Sequence, residues 1–104
     1  MQLKNKKINL FIGLKKKDLV TNITKKHALE VISKCLKKIK VTDYNIHFIS
    51  GFWNAKAEKT LYISFINTEN IDYKQLTQAI NAIKKELDQE AILVEIIAAD
   101  YAFL

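Results

Sequence analysis

The 104-residue chain contains no arginine and no proline, only two glycines and a single cysteine. Without arginine its surface has no planar guanidinium to read guanine or to clamp a phosphate in two places, although its 17 lysines still offer point charges. A single cysteine cannot form an internal disulfide, and Cys35 falls on the apolar stripe of a predicted helix, which predicts a buried free thiol. Two glycines cannot build a glycine-rich phosphate loop, and the histidine and cysteine spacing suits no metal. We therefore expect no cofactor and no metal site.

Long hydrophobic runs are also missing. The apolar run near the start covers only about eight residues, is interrupted by Asn9 and is closed by lysines, so it is too short for a signal peptide or a spanning helix. We therefore expect a cytoplasmic protein without a membrane partner. The length predicts a single domain over residues 1–104.

Charge is distributed unevenly along the chain. Before Phe52 there are 12 lysines and three acidic residues, a net charge of +9, and from Phe52 onward there are five lysines and eight acidic residues, a net charge of −3. This asymmetry permits an anionic partner on one side, or head-to-tail association. The predicted basic surface could bind nucleic acid weakly, and a solvated lysine surface is the alternative. It comprises Lys15, Lys16, Lys17, Lys25, Lys26, Lys34, Lys37 and Lys38.

Hydrophobic periodicity predicts six elements. Alternating apolar residues indicate strands over residues 7–14, 44–52, 59–67 and 91–98, and the second and third of these form an antiparallel hairpin. Thr24 is a suitable N-cap for an amphipathic helix over residues 25–39 with a basic outer face. Asp72 and Gln75 form a capping box at the start of a second helix, whose buried stripe is expected to include Tyr73, Leu76 and Ile83.

The order strand, helix, strand, strand, helix, strand predicts an α+β, ferredoxin-like βαββαβ fold. In that plan two helices cover one face of a four-stranded antiparallel sheet with strand order 4-1-3-2. The end of the first strand, the hairpin and the start of the fourth strand then meet at one edge, which we call the top edge. The residues expected to meet there are Gly13, Trp53, Glu58, Gln89 and Glu90.

Four short segments carry a family resemblance: "NLFIGL", "GFW", "EKTLYISF" and "LDQEAILVE". They resemble the pattern of a poorly characterised family of small ferredoxin-like proteins of bacteria and their phages. The resemblance implies a compact module carried on mobile elements, with the top-edge residues as its site. If a phage encodes the protein, we expect it in the host cell cytoplasm. The structural alternative is that Trp53 closes the end of the core while Glu58 and Gln89 hydrogen-bond to loop backbone.

The sheet face without helices, the open face, carries a second resemblance. "LFIGL" and "LYISF" are similar to the two ribonucleoprotein motifs of RNA-recognition domains, which implies that bases stack on Phe11 and Tyr62. Thr60 and Leu61 depart from the second motif, and the face is more apolar than a base platform. The apolar open face therefore also predicts a homodimer, or a host protein or ribonucleoprotein partner. The residues expected to make this contact are Phe11, His47, Ile49, Tyr62, Ile66 and Leu93.

These features favour a non-catalytic binding module, interpreted as a phage or mobile-element accessory protein that inhibits or modulates a host macromolecule such as a defence complex. One alternative is binding of single-stranded RNA through Phe11, Tyr62 and the lysine-rich first half. Another is a small dimeric ferredoxin-like enzyme with His47 or Glu58 as acid or base. No catalytic triad is predicted, because His27 and Cys35 lack a carboxylate partner at helical spacing.

Overall fold

The computed structural model describes residues 2–104, apart from the side chain of Trp53. Its elements are β1 (Lys6–Gly13), α1 (Lys25–Lys38), β2 (Asn45–Trp53), β3 (Lys56–Ile66), α2 (Tyr73–Glu86) and β4 (Leu93–Ala98). The strands form one antiparallel sheet in the order β2-β3-β1-β4. This arrangement confirms the predicted ferredoxin-like βαββαβ fold. Among the described residues, no helix is long and apolar enough to cross a membrane.

The core lies between the sheet and the helices. Alternate residues of the two central strands, including Ile8, Leu10 and Ile12 on β1 and Leu61 and Ile63 on β3, are completely buried. Burying each such side chain contributes about 1.5–3 kcal/mol, so these strands hold much of the folding free energy. The helices supply the opposite wall with apolar stripes, in which the structure adds Val31 and Ala79 to the residues that the periodicity predicts. Those stripes are Ala28, Val31, Ile32, Cys35 and Leu36 on α1, and Leu76, Ala79 and Ile83 on α2.

Both helices begin where the sequence predicts. The Thr24 hydroxyl accepts a hydrogen bond from the backbone N–H of His27 at 3.2 Å. The Asp72 carboxylate accepts from the backbone N–H of Gln75 at 2.8 Å, and the Gln75 side chain accepts in return from the backbone N–H of Asp72 at 3.0 Å. These caps satisfy backbone donors that the first turn leaves without helical partners, which fixes the entry of each helix.

The β2–β3 hairpin is longer than predicted. β3 begins at Lys56 instead of residue 59, because Asn54 and Ala55 make a two-residue turn with φ values of 51° and 60°. Turns of this left-handed type suit the twist of a hairpin and usually contain glycine, which is absent here, so the sequence signal was weak. β4 also begins later than predicted, at Leu93.

Two aromatic residues are less buried than predicted. Tyr73 is 51% exposed, because it lies roughly a quarter-turn around α2 from the centre of the buried stripe. The strand period predicts that Phe48 faces inward together with Ile46, yet Phe48 is 39% exposed on the edge strand β2. The ammonium of Lys25 lies 4.7 Å from the centre of the Phe48 ring and covers part of it.

The rim loop, residues 14–23, joins β1 to α1 and is held by its own hydrogen bonds. Its ends are tied by the backbone N–H of Ile23, which donates to the carbonyl of Leu14 at 2.9 Å. Within it, the Asp18 carboxylate accepts from the backbone N–H groups of Val20 and Thr21, each at 2.8 Å, and from the Thr21 hydroxyl. The loop is therefore ordered by contacts within itself as well as by the sheet.

The hydrogen bonds of the rim loop predict an acidic Asp18. The Thr21 hydroxyl, followed by the backbone N–H groups of Thr21 and Val20, lowers the pKa of Asp18 from 3.8 to about 2. Because the folded-state pKa is depressed, the stabilisation of the loop is complete above pH 4 and is lost as the pH falls through 2. An NMR titration of the carboxyl carbon should show this pKa, and Thr21→Val should raise it. Titration of Asp18 near 3.8 in the unmodified protein would contradict the assignment.

Candidate functional site

The top edge contains a cavity, the top-edge cavity. It has a volume of about 460 Å³, which is in the usual range for small-molecule sites. The end of β1, the hairpin, the rim loop and the residues before β4 contribute its walls. Its lining residues are Phe11, Gly13, Lys15, Lys16, Lys17, Leu19, Asn54, Glu58, Gln89, Glu90, Ala91, Ile92 and Leu93.

Four of the five predicted top-edge residues line this cavity: Gly13, Glu58, Gln89 and Glu90. The side chain of Trp53, the fifth, lies outside the described residues. The structure adds Leu19, which is 68% exposed in the rim loop and which the sequence analysis did not select. Leu19 lines the cavity only because the rim loop folds against the sheet. In the sequence, its one signal is its position beside the lysine run.

Gly13 makes room for the Glu58 carboxylate. A Cβ atom at position 13 would overlap the Glu58 side chain, so any larger residue there would displace it. The need is for space, since Gly13 does not adopt a positive φ. Glu58 is half-buried, and its carboxylate makes no hydrogen bond or ion pair with a described residue. The sheet therefore holds an unengaged carboxylate directly over the end of β1.

Gln89 joins the two loops that border the cavity. Its side-chain amide donates to the carbonyl of Lys15 at 2.7 Å and to that of Leu87 at 3.2 Å. Next to it, the backbone N–H of Lys17 donates to the carbonyl of Asp88 at 2.8 Å, and the two side chains form an ion pair at 3.4 Å. Gln89 therefore hydrogen-bonds to loop backbone, as the structural alternative describes. In this role it shapes the wall of the cavity.

Both signs of charge are present around the cavity. Lys15, Lys16 and Lys17 lie on the rim-loop side, whereas Glu58 and Glu90 lie on the hairpin and β4 sides. Lys17 is paired with Asp88, whereas Lys15 and Lys16 are exposed and make no ion pair with a described residue. The cavity thus suits a ligand that carries both a positive and a negative group.

The open face carries a row of aromatic side chains. Phe11 and Tyr62 lie opposite each other on the two central strands with ring centroids 4.9 Å apart, and His47 follows on β2 at 5.8 Å from Tyr62. A shallow cavity of about 520 Å³ lies over this row and includes Ile49. Phe11 borders both this cavity and the top-edge cavity, so the two are neighbours.

The other predicted open-face residues surround the aromatic row. Ile66 is half-buried on β3, whereas Ile49 and Leu93 are 40% and 49% exposed. Ile97, further along β4, is 42% exposed. The face thus carries apolar side chains on all four strands, which are interrupted by the polar cross-strand row of Asn9, Ser64 and Glu95. Most of its apolar side chains are exposed or half-buried, whereas Asn9 and Ser64 are buried.

The remaining candidate residues do not form a site. Cys35 is buried, and burial, the largest cause, raises the pKa of its thiol, which disfavours the reactive thiolate. His27 lies on the exposed side of α1. Within the described residues, no group of three histidine, cysteine, aspartate or glutamate side chains could hold a metal ion. Glu58 remains the carboxylate best placed for chemistry.

Comparisons with known proteins support the fold. No family model matches the chain, and no curated protein matches it. A phage SAM lyase in complex with S-methyl-5′-thioadenosine has a similar structure, with a TM-score of 0.64, 17% identity, and coverage of 94% of this chain and 84% of the lyase. In the apo state a phage SAM lyase gives a TM-score of 0.64 and 20% identity over 96% of this chain and 90% of that one.

A second kind of protein shares the architecture. The B. subtilis GlnK–ATP complex has a TM-score of 0.52 and 17% identity, covering 91% of this chain and 84% of GlnK. At these identities the similarities show a common fold. A phage protein and a B. subtilis protein thus share the fold of this chain.

Proposed function

We propose that this protein is a phage-type accessory protein that binds S-adenosylmethionine in the top-edge cavity and cleaves it. The observation that carries the proposal is the unengaged Glu58 carboxylate held over Gly13 at the cavity wall. The phage SAM lyase, which shares the fold along most of both chains, supports the choice of ligand. The ATP complex of GlnK is further support, because ATP also contains adenosine.

The lining of the cavity complements each part of this ligand. S-adenosylmethionine combines a planar adenine, a positive sulfonium, and an amino-acid end with an ammonium and a carboxylate. Phe11, Ile92 and Leu93 offer apolar surface for the adenine. Glu58 can attract the sulfonium or the ammonium, and Lys15 and Lys16 can attract the carboxylate. The lining therefore offers an opposite charge to the positive part and to the negative part of the ligand.

The proposed cleavage needs no co-reactant. The bond between the sulfur and the γ-carbon of the methionine chain breaks, and its electron pair stays on the sulfur, which leaves as neutral S-methyl-5′-thioadenosine. The carboxylate oxygen of the same ligand forms a bond to the γ-carbon and closes a lactone, so that no proton is taken up or released. By holding the ammonium, Glu58 would bend the methionine chain of the ligand so that the ligand's own carboxylate approaches the γ-carbon.

The binding half of the proposal predicts a dependence on Glu58. The protein should bind S-adenosylmethionine with micromolar affinity, and Glu58→Gln should weaken binding at least tenfold, because it removes one opposite charge and keeps the shape. Gly13→Ala should weaken binding as well, with little loss of thermal stability, since the overlapping group is the end of a flexible side chain. Isothermal titration calorimetry measures the affinities, and thermal unfolding checks the fold.

Glu69→Gln is the matched control, because Glu69 is an exposed carboxylate outside the cavity lining. It should bind like the unmodified protein. Equal affinities for all three variants, or no binding at all, would contradict the site. The cleavage half is tested separately by chromatography of the bound ligand. Binding without accumulation of S-methyl-5′-thioadenosine would leave a binding protein and remove the lyase assignment.

We propose a second candidate function for the open face, namely binding of a macromolecule through its aromatic row. The observation that favours it is the Phe11–Tyr62 pair on the two central strands, with centroids 4.9 Å apart. Single-stranded RNA could stack on these rings, and the same apolar face could instead contact a host protein or a second copy. With this second function, the protein is a non-catalytic inhibitor or modulator of a host complex.

The RNA version predicts that the aromatic pair is required. Fluorescence anisotropy with a short single-stranded RNA should show binding that persists near physiological salt and is lost in the double variant Phe11→Ala, Tyr62→Ala. Tyr73→Ala removes an exposed aromatic from α2 and should leave binding unchanged. Binding that is equal in all variants would exclude stacking on this row. A stable dimer in light scattering, dissociated by the double variant, would assign the face to a second copy.

A further inference from the structure

The positive charge of the protein is concentrated in the helix layer. α1 contains five lysines and Glu30, and α2 contains three lysines and Glu86. Eight lysines and two glutamates give the helices a net charge of +6, which equals the net charge of the whole chain. The remaining nine lysines and nine acidic residues cancel. The helix layer is therefore strongly basic, whereas the rest of the molecule is neutral.

The lysines on the outer surface of the helices form two similar rows. Lys26 and Lys37 on α1 are separated by 11 residues, as are Lys74 and Lys85 on α2. This spacing corresponds to three helical turns, so each pair lies on one ridge with about 16 Å between its members. The ridges lie opposite the buried stripes, and all four side chains are exposed.

These four ridge lysines are available to a partner. Lys34 is paired with Glu86, and Lys17 with Asp88, but no ridge lysine makes an ion pair with a described residue. The two helices pack against each other, which places the ridges about 8–10 Å apart. Four unpaired charges thus occupy a rectangle of roughly 16 by 10 Å.

We infer that the helix layer docks on the phosphate backbone of duplex nucleic acid without reading its sequence. Two rows of ammonium groups can face phosphates on both sides of a groove about 12 Å wide. Lysine attracts phosphates as a point charge, and the absence of arginine removes the most common contact to guanine. The proposed ligand site lies at the top edge of the sheet, so this inference does not depend on it.

The positions of the exposed apolar side chains argue against an anionic lipid surface or a single-stranded nucleic acid as the partner. In the described residues the large exposed ones lie in the rim loop, on the strands and near the C-terminus, and Tyr73 is the one in the helices. The ridges therefore present nothing to insert into a lipid surface and no platform for stacked bases. Lysine is also depleted at protein interfaces. A hydrated duplex backbone is the polyanion that fits best.

Fluorescence anisotropy with two unrelated 20-base-pair duplexes, over a series of salt concentrations, tests the inference. The unmodified protein should bind both duplexes with affinities within about threefold, and the affinity should fall steeply with salt. The variant with Lys26, Lys37, Lys74 and Lys85 each changed to Gln should lose about three to four units of the log–log salt slope. Glutamine favours helices about as well as lysine, so the fold should persist.

The matched control changes Lys4, Lys7, Lys56 and Lys59 to Gln, which removes the same charge outside the helices. Its salt slope should change by less than one unit, since those lysines do not face the duplex. Equal losses in the two variants would show that only net charge matters and would overturn the inference. Absence of binding at 50 mM salt, or tighter binding to vesicles of anionic lipid than to the duplexes, would overturn it too.

Discussion

Two 14-residue helices cover one face of the four-stranded sheet and remove the apolar side chains of that face from water. The packing of Ile8, Leu10 and Ile12 against these helices is the interaction on which the rest of the structure depends. It fixes which side of every strand is buried, because neighbouring residues of a strand point to opposite faces. It also leaves the opposite face of the sheet without cover from the helices.

The same packing assigns different chemistry to the two surfaces of the molecule. The outer sides of the helices contact water and carry lysines, whereas the open face carries Phe11, Tyr62 and Leu93. Between these surfaces lies the top edge, where β1 ends and β4 begins. The antiparallel pairing of β1 with β3 brings Gly13 opposite Thr60 and places Glu58 just beyond it. The small residue Gly13 at the end of β1 thus creates the space for the Glu58 carboxylate on the neighbouring strand β3.

Much of the fold could be predicted, because its signals are local. Alternation in β1 and β3, the Thr24 cap and the Asp72–Gln75 box each depend on a few neighbouring residues. The top-edge grouping of Gly13, Glu58 and Glu90 followed from the topology alone. Known connection rules then supplied the strand order, which no single stretch of the sequence shows.

The remaining details depend on contacts between distant residues or on weak turn signals. The bond from Gln89 to the Lys15 carbonyl joins positions 74 residues apart, and nothing near Gln89 in the sequence announces it. Leu19 joins the cavity through the fold of the rim loop, whose hydrogen bonds centre on Asp18. The hairpin turn at Asn54 and Ala55 lacks glycine, which hid the length of β3.

The top edge of the sheet is the site that we propose for an adenosine-containing ligand. A titration of the ¹⁵N-labelled protein with S-methyl-5′-thioadenosine, followed by two-dimensional NMR, tests it most directly. We expect saturable shifts of the amide signals of Gly13, the rim loop and residues 90–93, with the signals of α1 beyond its first turn and of α2 before its last turn unchanged. An unaffected spectrum at millimolar ligand, or shifts confined to the helices, would contradict it.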